Sequence, residues 1–384
     1  MRTSPKPSVL HVYKDYYPPV LGGIEKCVHW MADATRDEFH VNVLVASRDA
    51  RLRDEVIDGV RVVRVPCLGR VFSSPLSPAY PPWIRRLEAD ILHFHMPNPV
   101  GELSLLLARP QKARVVATWH SDIVRQRIFG LLYRPIQKVF LNKVEYIMPT
   151  SRRYIESSKI LAPLAHKCRV VPLGVPVHEY EESAESRVYQ KEIEARSPGA
   201  FRVVFIGVLR YYKGLKYLIE AIGLLRQSAP QVRLVIGGDG PERPRLENQV
   251  RQAGLSDSVE FTGALSDARA VGLRAAGHVF CLPAHLRSEA FGLCQIEAML
   301  AGLPVVSTDL DTGVPEVNRD GESGLIVPPA NPKALAEALR RLVNDEDLRR
   351  CLGVQARARA LENYTAEHMG ARLKDIYRLL VKRA

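Results

Sequence analysis

Two carboxylates eight positions apart bracket the segment Glu289-Ala290-Phe291-Gly292-Leu293-Cys294-Gln295-Ile296-Glu297. Glu297 is followed by Ala298, Met299 and Leu300, so it falls inside a helix with an apolar face. A carboxylate on a helix that borders a ligand can accept both hydroxyls of a ribose. Glu289, in the loop before that helix, can accept sugar hydroxyls beside a phosphate. The plain alternative is a solvated glutamate and a capping glutamate. Cations occur in Gly207-Val208-Leu209-Arg210-Tyr211-Tyr212-Lys213-Gly214, which follows an apolar run and opens a helical one. Arg210 and Lys213 at a helix start are what a diphosphate requires, although a solvated basic turn reads the same way.

Other informative residues also stand just after apolar runs. Gly22 and Gly23 lie in Pro18-Pro19-Val20-Leu21-Gly22-Gly23-Ile24-Glu25, where bare backbone N–H groups feed a helix and suit an anion. The spacing is not the G-x-G-x-x-G of a dinucleotide site. His93 and His95 close the run Asp90–His95, and His120 lies in Trp119-His120-Ser121-Asp122. Each can bond a hydroxyl or an amide, or can be structural. Gly237-Gly238-Asp239-Gly240-Pro241 and Val259-Glu260-Phe261-Thr262-Gly263 end two further runs. Asp309-Leu310-Asp311 has the form of a D-x-D metal motif, a tripeptide common by chance.

Elements that position such residues are legible as alternating strands and helices. Strands are expected at Ser8–Tyr13, Val41–Ala46, Val60–Val65, Asp90–Phe94, Arg114–Thr118, Glu145–Pro149 and Cys168–Val171, with a helix at Glu25–Thr35. After a polar connector or surface helix at Glu179–Gly199, strands restart at Phe201–Gly207, Arg233–Gly237, Ser258–Thr262, His278–Leu282 and Pro304–Ser307. Helices fit Gly214–Ser228, Pro241–Ala253, Phe291–Ala301 and Pro332–Asn344. This alternation implies an α/β protein with two doubly wound parallel sheets, hinged near Val175–His178. In such sheets ligands bind beyond the carboxyl ends of the strands.

In this order the motifs P-P-x-x-G-G-x-E, the histidine of WHSD, L-R-Y-Y-K-G, G-G-D-G-P, the paired glutamates and A-G-L-P-V-V resemble the family 4 retaining glycosyltransferases, and bacterial mannosyl- and rhamnosyltransferases in particular. The resemblance covers nearly the whole chain. It implies the GT-B fold, two Rossmann-like domains facing a cleft: an acceptor-side domain over 1–175, a nucleotide-sugar domain over 176–363, and a C-terminal segment, 364–384, whose helix near Thr365–Arg383 returns to the first domain. It implies that Glu297 holds the ribose, Glu289 the transferred sugar, and Lys213 the leaving diphosphate. Phe291, Gly292 and Leu293 would supply amides near the phosphates, Gly22 and Gly23 would face the diphosphate, His120 would line the reaction centre, and Gly263–Leu265 would contact the base. The expected reaction moves a hexose, mannose or rhamnose, from a nucleoside diphosphate, with GDP favoured, to a glycan or polyprenyl-linked acceptor. It needs no metal or cofactor, and retention follows from attack on the leaving-group side. Two positions depart from the family. Val208 stands where an arginine usually follows the loop glycine, leaving Arg210 as the nearest substitute, and Thr312-Gly313 replaces a Gly-Gly pair before Val314-Pro315-Glu316.

Bulk properties bound the rest. The net charge of +12 favours an anionic partner. No RNP-type aromatic motif or zinc module supports nucleic acid, so a nucleic-acid-binding protein and a GT-B epimerase remain as the alternatives. Cys27, Cys67, Cys168, Cys281, Cys294 and Cys351 are scattered, which suggests reduced thiols in the cytoplasm. The N-terminus has no signal-peptide pattern, and no apolar run is long enough to span a bilayer. Ile123–Val144 carries Arg125, Arg127, Arg134, Lys138 and Lys143 without an acid, with Ile128, Leu132, Ile136 and Val139 on another face. It fits a helix lying on an anionic membrane, kinked or split at Pro135, or equally a helix packed on its domain with a solvated basic face.

Overall fold

The computed structural model describes residues 6–20, 22–71, 74–122 and 127–382, and side chains within the helix beginning at Arg127 from residue 133 onward. The chain divides into two compact units, Met1–Gly174 with Ala366–Ala384, and Val175–Thr365.

The first unit is built on a seven-stranded sheet. Its strands are β1 (Ser8–Val12), β2 (His40–Ala46), β3 (Arg53–Ile57) and β4 (Val60–Val65), then, after a small hairpin of β5 (Gly69–Val71) and β6 (Ser74–Leu76), β7 (Ile91–Met96), β8 (Arg114–Trp119) and β9 (Tyr146–Pro149). Their order is β3-β4-β2-β1-β7-β8-β9. Runs such as Val-Asn-Val-Leu-Val in β2 are buried throughout, because helices cover both faces of a parallel sheet. Those helices are α1 (Gly23–Asp33), α2 (Tyr80–Arg86), α3 (Pro99–Ala108), α4 (Arg127–Lys143) and α5 (Arg152–Ser157). The C-terminal helix, Ala366–Val381, also belongs to this unit. It buries Met369, Leu373, Ile376, Tyr377 and Leu380, and Tyr377 packs edge-on against Phe39 at 5.2 Å.

The second unit has a wholly parallel six-stranded sheet. Its strands are β10 (Phe201–Ile206), β11 (Val232–Gly237), β12 (Val259–Gly263), β13 (Val279–Leu282), β14 (Val305–Thr308) and β15 (Gly324–Val327), in the order β12-β11-β10-β13-β14-β15. That is the strand order 3-2-1-4-5-6 of a mononucleotide-binding fold, with its reversal between β10 and β13. Its helices are α6 (Ala184–Arg196), α7 (Leu215–Arg226), α8 (Arg243–Gln252), α9 (Asp267–Ala275), α10 (Leu293–Leu300), α11 (Val314–Val317), α12 (Pro332–Asn344) and α13 (Glu346–Asn363).

Two expectations are corrected, and a third, a kink or a split at Pro135, is narrowed. Cys168–Val171 is not a strand. It runs beside β9 through one bridge, Ile147 with Cys168, and two backbone bonds, but Pro149 and Pro172 have no N–H to continue a ladder. The first sheet is not wholly parallel, since β3 pairs antiparallel with β4. The cause is Asp58-Gly59, whose φ values of 49° and 81° make a two-residue hairpin turn. Pro135 does not split its helix, because α4 runs unbroken from Arg127 to Lys143.

Candidate active site

In the second unit, the loop after β10 presents Lys213 at the end of a single 3-10 turn, Tyr211–Lys213. Gly214 then starts α7 with φ of +71°, and any Cβ there would collide with the Pro283 carbonyl, so the position requires glycine twice over. His285 N donates to the Tyr212 carbonyl at 3.0 Å and fixes the loop against the segment after β13. That segment also carries Glu289. Lys213 Nζ approaches Glu289 Oε2 to 2.5 Å, with the two side chains 12% and 10% exposed. The contact is a buried ion pair at hydrogen-bonding distance. Burial alone would lower the Lys213 pKa, but the attraction of Glu289, aided by Cys294 and Tyr212, holds it above the ordinary lysine value. The lysine is therefore a fixed cation.

Phe291, Gly292 and Leu293 form the entry to α10. Gly292 has φ of +79° and caps the helix, while Gln295 Nε2 donates back to the Phe291 carbonyl at 3.2 Å. A side chain at Gly292 would strike Gln295 and Leu282, so this buried position admits only glycine. Glu297, one turn along α10, is not solvated as the plain reading would have it. Its Oε2 makes a close ion pair with Arg274 of α9, and its Oε1 accepts from Tyr180 Oη at 3.3 Å. Arg274 is 4% exposed against 20% for Glu297, and its guanidinium also lies 5.5 Å from the centre of the Tyr180 ring. Burial and the Glu297 charge together push the Tyr180 hydroxyl above the ordinary tyrosine range. Sequence reasoning missed Arg274 and Tyr180. The one available signal was an arginine among the apolar residues of Val271-Gly272-Leu273-Arg274-Ala275-Ala276.

Arg210 is exposed. It lines a pocket of about 180 Å³ with Tyr211, Lys216, Arg245 and His285. Val208, in the position where the arginine was expected, is 47% exposed. Gly263 ends β12, its carbonyl accepting from Gly238 N at 2.7 Å. Leu265 reaches back toward Gly237 at the end of β11. Both therefore border the carboxyl edge of this sheet. Asp309 and Asp311 follow β14 as exposed residues on either side of buried Leu310.

In the first unit, Gly22 caps α1 and Gly23 begins it. The carboxylate of Glu25 folds back over Gly22 and bonds its own backbone N–H, so the helix start expected to receive a ligand anion holds an internal one. Burial raises the pKa of that carboxyl, against the lowering effects of the backbone bond and Lys14.

His120 follows the end of β8 and is buried. Its Nε2 lies 3.1 Å from His95 Nδ1, and its Nδ1 has no hydrogen-bond partner among the described residues. Burial, with a contribution from Lys14, lowers its pKa to about 3, so the ring is neutral. His93 is structural. Its Nδ1 pairs with Tyr377 Oη at 2.5 Å and its Nε2 with Thr118 Oγ1 at 2.7 Å, tying the C-terminal helix to the sheet. Among the described residues, His11, His93 and His95 form the one group of three or more potential metal ligands. All six cysteines are free thiols.

Of the basic segment Ile123–Val144, residues 123–126 and the side chains of Arg127, Ile128 and Leu132 lie outside the described residues. Arg134, Lys138 and Val139 are exposed, whereas Gln137, Phe140 and Leu141 are buried. One face of α4 is thus packed and the opposite face is basic with an exposed valine. No helix among the described residues is long and apolar enough to cross a membrane.

Comparison with known proteins agrees with this reading of both units. Residues 188–359 match the family model described as glycosyl transferases group 1, and residues 22–174 match a glycosyl transferase 4-like domain. The chain is 33% identical to the O-antigen chain mannosyltransferase C of Escherichia coli, over 97% of this chain and 99% of that protein. It is 34% identical to D-rhamnosyltransferase WbpZ of Pseudomonas aeruginosa, over 93% and 92% of the two chains. The sucrose-phosphate synthase structure from Thermosynechococcus elongatus shares the fold, with a TM-score of 0.81 at 21% identity and coverage of 99% and 100%. Neither a nucleic-acid-binding protein nor an epimerase is favoured by these likenesses. The chain belongs to the family 4-like glycosyltransferases of GT-B fold and is a sugar-transferring enzyme.

Proposed function

We propose that this enzyme transfers mannose or rhamnose, with retention, from a GDP-linked donor to a glycan or polyprenyl-linked acceptor during surface-polysaccharide or glycolipid assembly. The observation that carries the reading is the buried Lys213–Glu289 pair close to the glycine-capped entry of α10. A neutral hydrolase-type pocket has no need of a lysine held cationic by a carboxylate. A departing nucleoside diphosphate does, because its negative charge grows as the glycosidic bond to phosphate breaks. Lys213 and the amides around Phe291, Gly292 and Leu293 stabilise that charge in place of a divalent metal. Glu289 keeps Lys213 oriented and accepts hydroxyls of the sugar. Glu297, held by Arg274 and Tyr180, accepts the ribose hydroxyls, and the segment Gly263–Leu265 flanks the base. His120 of the first unit can accept a hydrogen bond from a substrate hydroxyl. The acceptor hydroxyl attacks on the side the diphosphate leaves, its proton passing to the departing phosphate oxygen, so the anomeric configuration is kept.

The donor preference and the acceptor class follow the similarity to O-antigen mannosyl- and rhamnosyltransferases. A cytoplasmic enzyme resting on the inner face of a membrane through the basic face of α4 would meet a polyprenyl-linked acceptor there. The test is a thermal-shift screen of GDP, UDP and dTDP with their sugars, followed by NMR of the product anomer. A donor stabilises the folded state by about 2.7 kcal/mol at a hundredfold excess over its Kd. Preferential stabilisation by UDP-sugars would overturn the GDP assignment, and an inverted anomer would overturn retention.

A further inference from the structure

The helices on one face of the first sheet show solvent an apolar strip between two basic ones. Helix α3 joins β7 to β8 and α4 joins β8 to β9, so both crossovers lie on the same face. α3 packs against both α2 and α4. α2 also packs on β2, toward one end of the strand order, and α4 crosses at the other end, so α3 is the middle of the three. This middle helix is turned inside out for a helix in water. Its polar side chains, Glu102 and Ser104, are buried, whereas Leu103 and Leu107, one turn apart on its outer side, are 44% and 63% exposed. A single exposed leucine is ordinary, but two stacked on one helix whose polar residues face inward make an apolar strip that the rest of the chain leaves open.

Both flanks of the strip are cationic. On α2, Arg85 and Arg86 are exposed. Arg85 Nη2 donates to the Leu107 carbonyl at 3.5 Å, which sets this charge beside the strip. The Arg86 guanidinium lies 4.7 Å from the centre of the half-buried Trp83 ring, an aromatic group suited to a membrane–water boundary. On α4, Arg134 and Lys138 are exposed, with exposed Val139 beside them. The three helices contain a single acidic residue, Glu102, and it adds no charge to this surface. Its side chain is buried, and its Oε1 accepts from Asn98 N at 3.3 Å and from Tyr133 Oη of α4. Burial raises its pKa to about 8, so the carboxyl is mostly protonated at neutral pH.

A bilayer with anionic head groups attracts both flanks at once and accepts the leucines between them at its acyl boundary, whereas a protein surface of mixed charge would set some of its own cations against these. We propose that the first unit docks on an anionic membrane through this whole layer, with Leu103 and Leu107 of α3 inserted between the basic flanks of α2 and α4. The proposal rests on the membrane reading of α4 given above and adds to it an apolar anchor that salt does not screen. It also sets a geometry. Helices of about 10 Å diameter lying on the surface hold the first sheet face-on to the bilayer, with the carboxyl ends of its strands about that far above it. A polyprenyl-linked acceptor then presents its polar head at that edge while its chain stays in the bilayer.

Cosedimentation with vesicles of phosphatidylglycerol and phosphatidylethanolamine, at low salt and at about 0.5 M salt, separates the two contributions. Wild type should bind at low salt and keep a measurable fraction bound at high salt. Leu103→Ser with Leu107→Ser should bind about 10–30-fold more weakly at both salts, the loss expected from two leucines half exposed when free. Leu103→Phe with Leu107→Phe should bind at least as tightly as wild type. Arg85→Gln with Arg86→Gln should bind about 20-fold more weakly at low salt and much like wild type at high salt. Unchanged melting temperatures show that the variants are folded. Equal binding of wild type and the serine variant at both salts would overturn the proposal and leave the basic face of α4 as the contact. Wild-type binding lost in full at high salt would overturn insertion in the same way. No wild-type binding at low salt would overturn both the proposal and the α4 reading. A lipid-free dimer in sedimentation equilibrium, dissolved by the serine pair, would assign the strip to a second copy of this chain and overturn the proposal on that ground.

Discussion

Replacing Lys213 by methionine tests the centre of the proposed mechanism, which gives that lysine two separable effects. The first is on stability. Lys213 and Glu289 are 12% and 10% exposed and 2.5 Å apart, so removing the cation strands a buried carboxylate. Breaking one side of such a pair costs about 3–5 kcal/mol. In a unit of this size each kcal/mol shifts the melting temperature by about 2–4 °C, so Lys213→Met should melt about 10 °C lower. Removing both charges in Lys213→Met/Glu289→Gln should recover most of that loss, since no uncompensated charge remains. The second effect is on turnover. The charge that Lys213 meets is larger in the transition state than in bound donor, so kcat should fall about 10²–10³-fold while donor affinity changes less. The double variant should be stable yet equally slow. Calorimetry and steady-state kinetics on wild type and the two variants decide both points. A Lys213→Met enzyme that melts like wild type would refute the buried-pair argument. Near wild-type turnover would remove this loop from the mechanism.

Further outcomes follow from the same geometry. Glu297→Ala should weaken nucleoside diphosphate binding by roughly 1–3 kcal/mol in titration calorimetry, and Arg274→Met should mimic it by releasing Glu297 from its orientation. Equal affinities of GDP, UDP and dTDP for wild type and Glu297→Ala would dismiss the ribose role. The buried histidines set an acid limit on stability. His11 and His120 have native pKa values near 3 and His95 is also depressed, whereas unfolded histidine titrates near 6.5. Below pH 6.5 the unfolded chain binds protons that the native chain refuses, so stability should fall as pH drops from 6.5 toward 3, by up to about 1.4 kcal/mol per pH unit for each ring. Urea titrations at pH 7.5 and 5.5 measure this, and equal stabilities would contradict it. On the exposed side of α4, Arg134→Glu with Lys138→Glu should reduce cosedimentation with anionic vesicles, each basic residue contributing about 1 kcal/mol. Unchanged binding at low salt would leave that helix a packed element with a solvated face.

The architecture was legible because parallel strands buried on both faces leave continuous Val, Ile and Leu runs, as in Phe201–Ile206, and those runs restart after a polar connector. Edges were harder. β3 is charged and half-exposed, and only its Asp58-Gly59 turn marks it, while β15 is a four-residue strand without flanking periodicity. The loops that end strands announced Lys213, Glu289 and His120 because glycine and charge are conspicuous at such positions. Their partners were not legible. Arg274 pairs with Glu297 across 23 residues, His11 meets His95 across 84, and Tyr377 reaches His93 across 284. Contacts of that range depend on sheet register and helix packing, which local pattern does not encode. Arg210, close to Lys213 in sequence, lies exposed after buried Leu209 and lines a pocket with Lys216 and Arg245, a placement that sequence proximity does not announce.

The pairing of Lys213, Glu289 and Glu297 has a mechanistic consequence. Without substrate, Lys213 is neutralised by Glu289 and Glu297 by Arg274. Isolated charges at this depth would shift their protonation or collapse onto other partners. Paired, they stay ionised and fixed, so little reorganisation is needed when the leaving group begins to acquire charge. The cost falls on ground-state binding, because a diphosphate must share Lys213 with a carboxylate that repels it. That repulsion weakens as sugar hydroxyls donate to Glu289, which links tight phosphate contact to occupancy of the sugar subsite. A nucleoside diphosphate alone should therefore gain less from Lys213 than the intact donor does, and Glu289→Gln should narrow the difference between their affinities. Titration of both ligands into wild type and Glu289→Gln measures that difference. An unchanged gap would mean that the carboxylate orients Lys213 without moderating its charge.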